Sequence, residues 1–230
     1  MTVTPGRRLK LLLRQLYDRL LAEYGPQGWW PAETDFEMLV GAVLTQNTAW
    51  TSVERALANM REAGALNPAA LRDTDLERLA AMIRPSGYFN AKARKLRALG
   101  EYLARYDDDL TRLFRSKPLP ELRKELLAVF GIGPETADSM LLYAGGLPIF
   151  VIDAYTLRVL NRMRSGSREL RYETAQRLFQ RDKGIDPDRH YGEFHALIVA
   201  HGKNTCRARD PACDRCPVLD MCRTGLRTVA

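Results

Sequence analysis

The chain has no cysteine before Cys206, three histidines in all, and no uninterrupted apolar run long enough to cross a membrane. Its longest apolar stretch, Met140 to Ile152, is broken by Gly145-Gly146 and Pro148. It falls short of the roughly 20 residues a spanning helix needs, so a membrane protein is not expected. A disulfide scaffold is not expected either, because most of the chain lacks cysteine and no signal peptide is recognisable. Long alternating stretches are missing, so nothing demands a sheet. No fixed period suggests repeats, and no low-complexity linker divides the chain.

What is present is helical periodicity almost from end to end. Leu9, Leu11, Leu12, Leu13, Leu16, Tyr17, Leu20 and Leu21 form an amphipathic stripe with basic residues opposite, stopped by Gly25-Pro26. Phe36–Thr45 reads as a buried helix. Further helices are expected over Val53–Ala63, Ala69–Ile83, Lys92–Tyr102, Leu110–Arg115, Leu119–Val129, Glu135–Ala144, Ala154–Met163, Tyr172–Arg181 and Arg189–Ala200. An all-α fold with short connections follows. At 230 residues the chain can bury one substantial core or two small lobes sharing a cleft. Its net charge of +7 and pI near 9.4 favour a polyanionic partner.

The four cysteines fall together as Cys206-x6-Cys213-x2-Cys216-x5-Cys222. Four thiolates gathered in one short, loop-rich segment suit a tetrahedral zinc or an iron–sulfur cluster. Zinc ribbons usually bring two C-x2-C knuckles together, and here only Cys213 and Cys216 form one. His190, His195 and His201 are spaced too unevenly to put a pair on one helix face, so they are not read as metal ligands.

Leu126 to Asp138 reads LLAVFGIGPETAD. One helix ends there, Gly131 and Gly133 are placed to supply permissive backbone angles, and Pro134 sits where a second helix can begin. Backbone amides at such a helix start can hold a phosphate oxygen without side-chain charge. Downstream, the Gly/Pro-rich stretch from Gly145 to Ile152 leads into Asp153, a favoured residue for capping the next helix.

These motifs resemble the endonuclease III-type helix-hairpin-helix DNA glycosylases. The pattern hydrophobic-x-G-I-G-x-x-T-A is similar to their hairpin, and Asp153 stands at the position of their catalytic aspartate. The cysteine spacing after His201-Gly202-Lys203 resembles their [4Fe–4S] loop. The resemblance covers nearly the whole chain. It implies a two-lobed fold: a six-helix barrel lobe over residues 34–148 that carries the hairpin, and a second lobe of residues 1–33 and 149–230. That second lobe would hold the cluster on Cys206, Cys213, Cys216 and Cys222, with His201 helping to seat its loop. The cluster's implied work is structural, setting Lys203, Arg207, Arg209 and Arg215 along DNA. The implied partner is double-stranded DNA containing a damaged base, bound in the cleft between the lobes by a cytoplasmic monomer. Asp153 would stabilise positive charge on the sugar or activate water. Gln46, within Gly41–Thr48, matches the residue that fills the duplex after base extrusion. Gly131 and Gly133 would hold phosphate. Ser86–Ala93 resembles a second DNA-facing turn, with Lys92, Arg94 and Lys95 able to meet phosphates.

One departure bears on the chemistry. Bifunctional members carry a lysine in the pattern G-x-G-x-K-T-A, whose amine forms a Schiff base with the sugar. Here that position is Glu135, and Lys124 and Lys203 lie outside it. A carboxylate cannot form an imine, so a monofunctional glycosylase is expected. Trp29-Trp30-Pro31, the L-T-Q-N-T segment followed by Trp50, and G-I-G-x-E-T-A-D together look like the 3-methyladenine glycosylase branch. In that branch the matching positions line the base pocket: Trp29, Trp30, Pro31, Trp50 and Lys203, with Glu135 near the site. Aromatic faces favour cationic rings, and alkylated purines such as 3-methyladenine are cationic. Hydrolytic removal of oxidised pyrimidines is an alternative against which the tryptophan-rich wall speaks. Asp153 speaks against a third possibility, a non-catalytic DNA-binding module.

Overall fold

A computed structural model describes residues 5–164, 169–182 and 184–229. Among the described residues there is no strand, and the chain divides into two compact units, Met1–Trp29 with Pro148–Ala230 and Trp30–Leu147. Helix α1 (Pro5–Tyr24) opens the first unit and buries Leu13, Leu16 and Leu20 at helical spacing. It stops where Gly25 takes a φ of 67°, a left-handed angle that suits glycine.

In the unit Trp30–Leu147, α2 (Asp35–Leu44) is the centre. Thr34 caps it by accepting from Glu37 N at 3.1 Å, and every residue from Glu37 to Leu44 is buried. A helix this apolar on all sides has to lie inside. Helix α3 (Trp50–Glu62) packs on it. The single helix expected over Ala69–Ile83 is instead two, α4 (Pro68–Asp73) and α5 (Leu76–Met82). Asp75 makes the break: Thr74 is extended, and the Asp75 carboxylate accepts from Glu77 N and Arg78 N to start a new helix. Helix α6 (Phe89–Ala104) packs against α2, α4 and α5. The unit is completed by α7 (Leu110–Arg115), α8 (Leu119–Ala128) and α9 (Pro134–Ser139). The expected helix Glu135–Ala144 does not stay α throughout. After Ser139 it widens into a π-turn, Met140–Ala144, which with α9 lies on α2.

The other unit is completed by α10 (Ala154–Met163), α11 (Tyr172–Gln180), α12 (Pro187–Asn204) and α13 (Arg223–Thr228). Phe150 and Phe179 stack with centroids 3.6 Å apart, and Phe194 packs edge-on to both. Helix α12 extends past both ends of its expected span because Asp186 caps it, Pro187 takes its first position, and His201 and Lys203 fall in its last turn. It packs on α1 and α10. At Gly202 a Cβ would stand 2.5 Å from Tyr155 Cδ1, so the bare backbone permits the close approach of α10. The segment after α12 is loop-rich as expected, except that α13 closes it and packs against α10.

Candidate active site

Asp153 is the N-cap of α10, entered from the buried segment Ile149–Ile152. Its Oδ1 accepts from Thr156 N at 2.6 Å, and its Oδ2 lies 3.6 Å from Nε2 of His195 on α12. Burial works to raise its pKa, but the His195 contact and the Thr156 bonds outweigh it and hold the carboxyl below its ordinary value. The group is therefore ionised at neutral pH although only 8 % exposed. The Trp29 ring meets His195 edge-on at 5.7 Å, and Lys203 Nζ stands 6.0 Å from the Trp29 centroid. Glu193 fixes the loop before Trp29, accepting from Gln27 N at 2.6 Å and Gly28 N at 3.4 Å. One unit thus gathers Asp153, His195, Trp29 and Lys203.

The other unit carries the remaining aromatics. Trp30 packs edge-on to Trp50 at 5.7 Å and to Tyr143 of the π-turn at 5.3 Å. Gly41 of α2 lies beneath them; a Cβ there would be 3.4 Å from Trp30 Nε1 and 3.6 Å from Trp50 Cη2. Pro31 and Trp50 border a groove whose other walls include Glu33, Glu37, Glu54 and Arg61, with Arg61 bonded to Glu37 at 2.8 Å. Glu135 is exposed on the first turn of α9.

The hairpin joins α8 to α9. Gly131 has φ 81°, and a Cβ there would fall 2.2 Å from Lys95 Cγ, so no other residue fits without movement. Gly133 differs from expectation. It is extended (φ −94°), a conformation open to any residue, and a Cβ would meet nothing within 4 Å. Its work is to begin α9 ahead of Pro134.

The four cysteines border one small cavity, together with His201, Thr205 and Arg162. Arg162 donates to Cys206 Sγ at 3.3 Å, and Gly225 N donates to Cys222 Sγ at 3.3 Å. Burial, along with the charge of neighbouring cysteines, pushes the Cys216 thiol up to about 11. Buried thiols with a raised pKa become thiolates when a cation binds among them. His201 is bonded to the Tyr24 hydroxyl at 3.0 Å, and burial lowers its pKa to about 4, so it is neutral here.

Residues 40–183 match the HhH-GPD superfamily of base excision DNA repair proteins. The chain belongs to that superfamily. This DNA glycosylase is 39% identical over 212 residues to a Methanocaldococcus jannaschii protein named as a DNA repair glycosylase, covering 92% of this chain and 96% of the relative. Among solved structures it resembles the H. pylori 3-methyladenine DNA glycosylase bound to 1,N6-ethenoadenine, with TM-score 0.72 and 28% identity over 85% of this chain and 97% of that one. It shares its fold with endonuclease III in a non-covalent DNA complex, with TM-score 0.78 and 23% identity over 96% and 98% of the two chains.

One DNA-facing expectation needs correction in this glycosylase. Lys92 does not reach for phosphates: it is 2 % exposed, and its Nζ donates to Leu44 O, Thr48 Oγ1 and Ser86 O. Gln46 is half-buried. Its amide donates to Gly131 O at 3.1 Å and Thr136 Oγ1 at 3.0 Å, and it accepts from Lys95 Nζ, which ties α2 to the hairpin. The exposed side chain of that loop is Asn47, with φ 53°. Sequence reasoning also passed over His195 and Tyr143. His195 had no signal beyond being one of three histidines, and Tyr143 stood in an apolar run that reads as core.

Proposed function

We propose that this glycosylase is monofunctional and excises an alkylated purine such as 3-methyladenine from duplex DNA. The observation that carries this reading is a buried, ionised Asp153, bonded to Thr156 N and facing His195 Nε2 at 3.6 Å, in a chain whose lyase position is occupied by Glu135. As the C1′–N bond breaks, its electron pair leaves with the base. A cationic alkylated purine becomes neutral on departure and needs no proton donor. The fixed negative charge of Asp153 offsets the positive charge left on the sugar. Water then forms the new C1′–O bond and gives up its proton to solvent. Trp29 with Lys203, in the unit that carries Asp153, supplies an aromatic face and a cation of the kind that a flat base favours. The likeness to a 3-methyladenine glycosylase supports this substrate class.

We infer a [4Fe–4S] cluster held by Cys206, Cys213, Cys216 and Cys222, which border one cavity; their 6-2-5 spacing, with one C-x2-C knuckle, supports it over a single zinc. When bound, the cluster supplies a cross-link between the end of α12 and α13. The glycosylase works as a monomer, and among the described residues no helix is long and apolar enough to cross a membrane.

Release of free base from methylated duplex DNA, alongside a thymine-glycol duplex, tests the reading. Methylated purine should be released, and borohydride should trap no covalent adduct. Release from the thymine-glycol duplex alone would return the protein to the oxidised-pyrimidine class, and a borohydride adduct through a lysine would refute hydrolysis without lyase chemistry.

A further inference from the structure

We propose that Lys92 is a positioning residue whose buried ammonium locks together the two loops that this protein presents to DNA on either side of it. The inference rests on the reading of those loops as DNA-facing. Lys92 Nζ donates to Leu44 O, Thr48 Oγ1 and Ser86 O, each at 2.7 Å. All three ammonium protons are used, two on the stretch from Leu44 to Thr48 and one on Ser86. Leu44 is the last residue of α2, where the helix dipole leaves partial negative charge. Thr48 Oγ1 donates in turn to Ser86 O, and Lys92 N donates to Tyr88 O at 3.0 Å. Among the described residues no carboxylate pairs with Lys92.

The lock has a specific load. Asn47 (φ 53°) and Tyr88 (φ 47°) are non-glycine residues in the left-handed region, one on each tied loop. Both side chains are exposed, Tyr88 by 74 %. Such backbones persist when the surroundings over-determine them. One turn further along α6, Lys95 binds Gln46, and Gln46 binds Gly131 and Thr136, which carries the tie to the hairpin. A lysine suits the central position because it offers three donors and no acceptor to three buried oxygens. A neutral aliphatic chain of similar length would remove the donor that all three oxygens share.

Burial, with the like charge of Lys95 added, pushes the Lys92 ammonium down to about 8. Lys95 is the charged group that bears on it; Leu44, Thr48 and Ser86 present neutral oxygens. Above that pH two protons face three acceptors, and one tie is lost. The folded value lies below the ordinary 10.5, so between the two the unfolded chain holds more protons. Stability contributed by this group therefore grows with pH across that window. Any loss of DNA affinity that Lys92 causes there cannot be unfolding.

The test uses the full chain and a fluorescent duplex containing a stable abasic-site analogue. Affinity and melting temperature are followed from about pH 7 to about pH 9.5, together with amide hydrogen exchange of residues 45–48 and 86–88, for wild type, Lys92→Arg and Lys92→Met. Wild type should bind at neutral pH and weaken ~10-fold toward the alkaline end, the size of one charge-assisted hydrogen bond, without a matching fall in melting temperature. Lys92→Met should already be ~10-fold weaker at neutral pH, insensitive to further alkali and faster in exchange at both loops. Lys92→Arg should bind at neutral pH and lose the alkaline decline. A folded Lys92→Met with wild-type affinity, pH profile and exchange would overturn the lock. If Lys92→Met does not fold, an unchanged alkaline decline in Lys92→Arg overturns it. Wild type that binds no duplex refutes the DNA-facing reading instead; unchanged alkaline exchange at both loops would then overturn the lock separately.

Discussion

The Oδ2 of Asp153 faces Nε2 of His195 across 3.6 Å, two residues 42 positions apart in the chain brought together where α10 begins and α12 passes. The other carboxylate oxygen is taken by Thr156 N. The Thr156 bond orients the carboxylate, and its lowered pKa keeps it charged. Capping α10 and carrying charge are then two uses of one geometry.

Asp153→Asn keeps the cap, because an amide oxygen can still accept from Thr156 N, and removes the charge. Base release should fall by roughly 10²–10³-fold or more, the usual consequence of deleting one electrostatic stabiliser. Affinity for duplex DNA should stay within about threefold. Single-turnover release assays and a binding titration separate the two; parallel losses in both would mean that the substitution damaged the fold.

His195→Asn tests the pair through pH. His195 works to lower the Asp153 pKa, so removing it should raise that value and move the acid limb of kcat/KM to higher pH. The stability linkage has the same sign. With a depressed folded pKa, Asp153 contributes stability above its unfolded value near 3.8, and that contribution is lost as pH falls through the folded value. The variant should lose part of this contribution. An acid limb unchanged by His195→Asn would show that the imidazole does not govern the carboxylate.

The two hairpin glycines should behave differently. Gly131→Ala places a Cβ 2.2 Å from Lys95 Cγ at a φ of 81°. It should destabilise by about 1–3 kcal/mol, or roughly 3–10 °C in a thermal melt. Gly133→Ala meets nothing within 4 Å and has an ordinary φ, so its melt should move by less than about 1 kcal/mol. Equal effects at both positions would contradict this assignment of strain.

Purified protein should contain iron and acid-labile sulfide in equal amounts, four of each per chain if the cavity holds the proposed cluster. Cys222→Ser should lose both and melt at lower temperature, because α13 and the end of α12 would lose their cross-link. Stoichiometric zinc without sulfide would assign the site to a single ion.

The helices were largely legible from the chain because what makes them is local. Thr34, Asp153 and Asp186 each accept from amides two or three residues ahead, and apolar residues recur at helical spacing. The same local chemistry explains the miss at Ala69–Ile83: Asp75 was a cap in a stretch whose periodicity suggested continuity. The turn at Gly131 was legible as well, although the reason that only glycine fits is Lys95, 36 residues upstream.

The sequence by itself determined an all-helical chain, a hairpin ahead of a capping aspartate, and four cysteines gathered beside the end of a helix. Those features depend on spacing and on residues within one turn of each other. Only the tertiary structure decided that Lys92 lies inside with three oxygens rather than outside with phosphates, that Gln46 is held by the hairpin, and that His195 meets Asp153. A lysine on a helix looks like solvated surface until the acceptors that replace its water are known. Leu44 lies 48 positions before Lys92, and that distance is closed by packing.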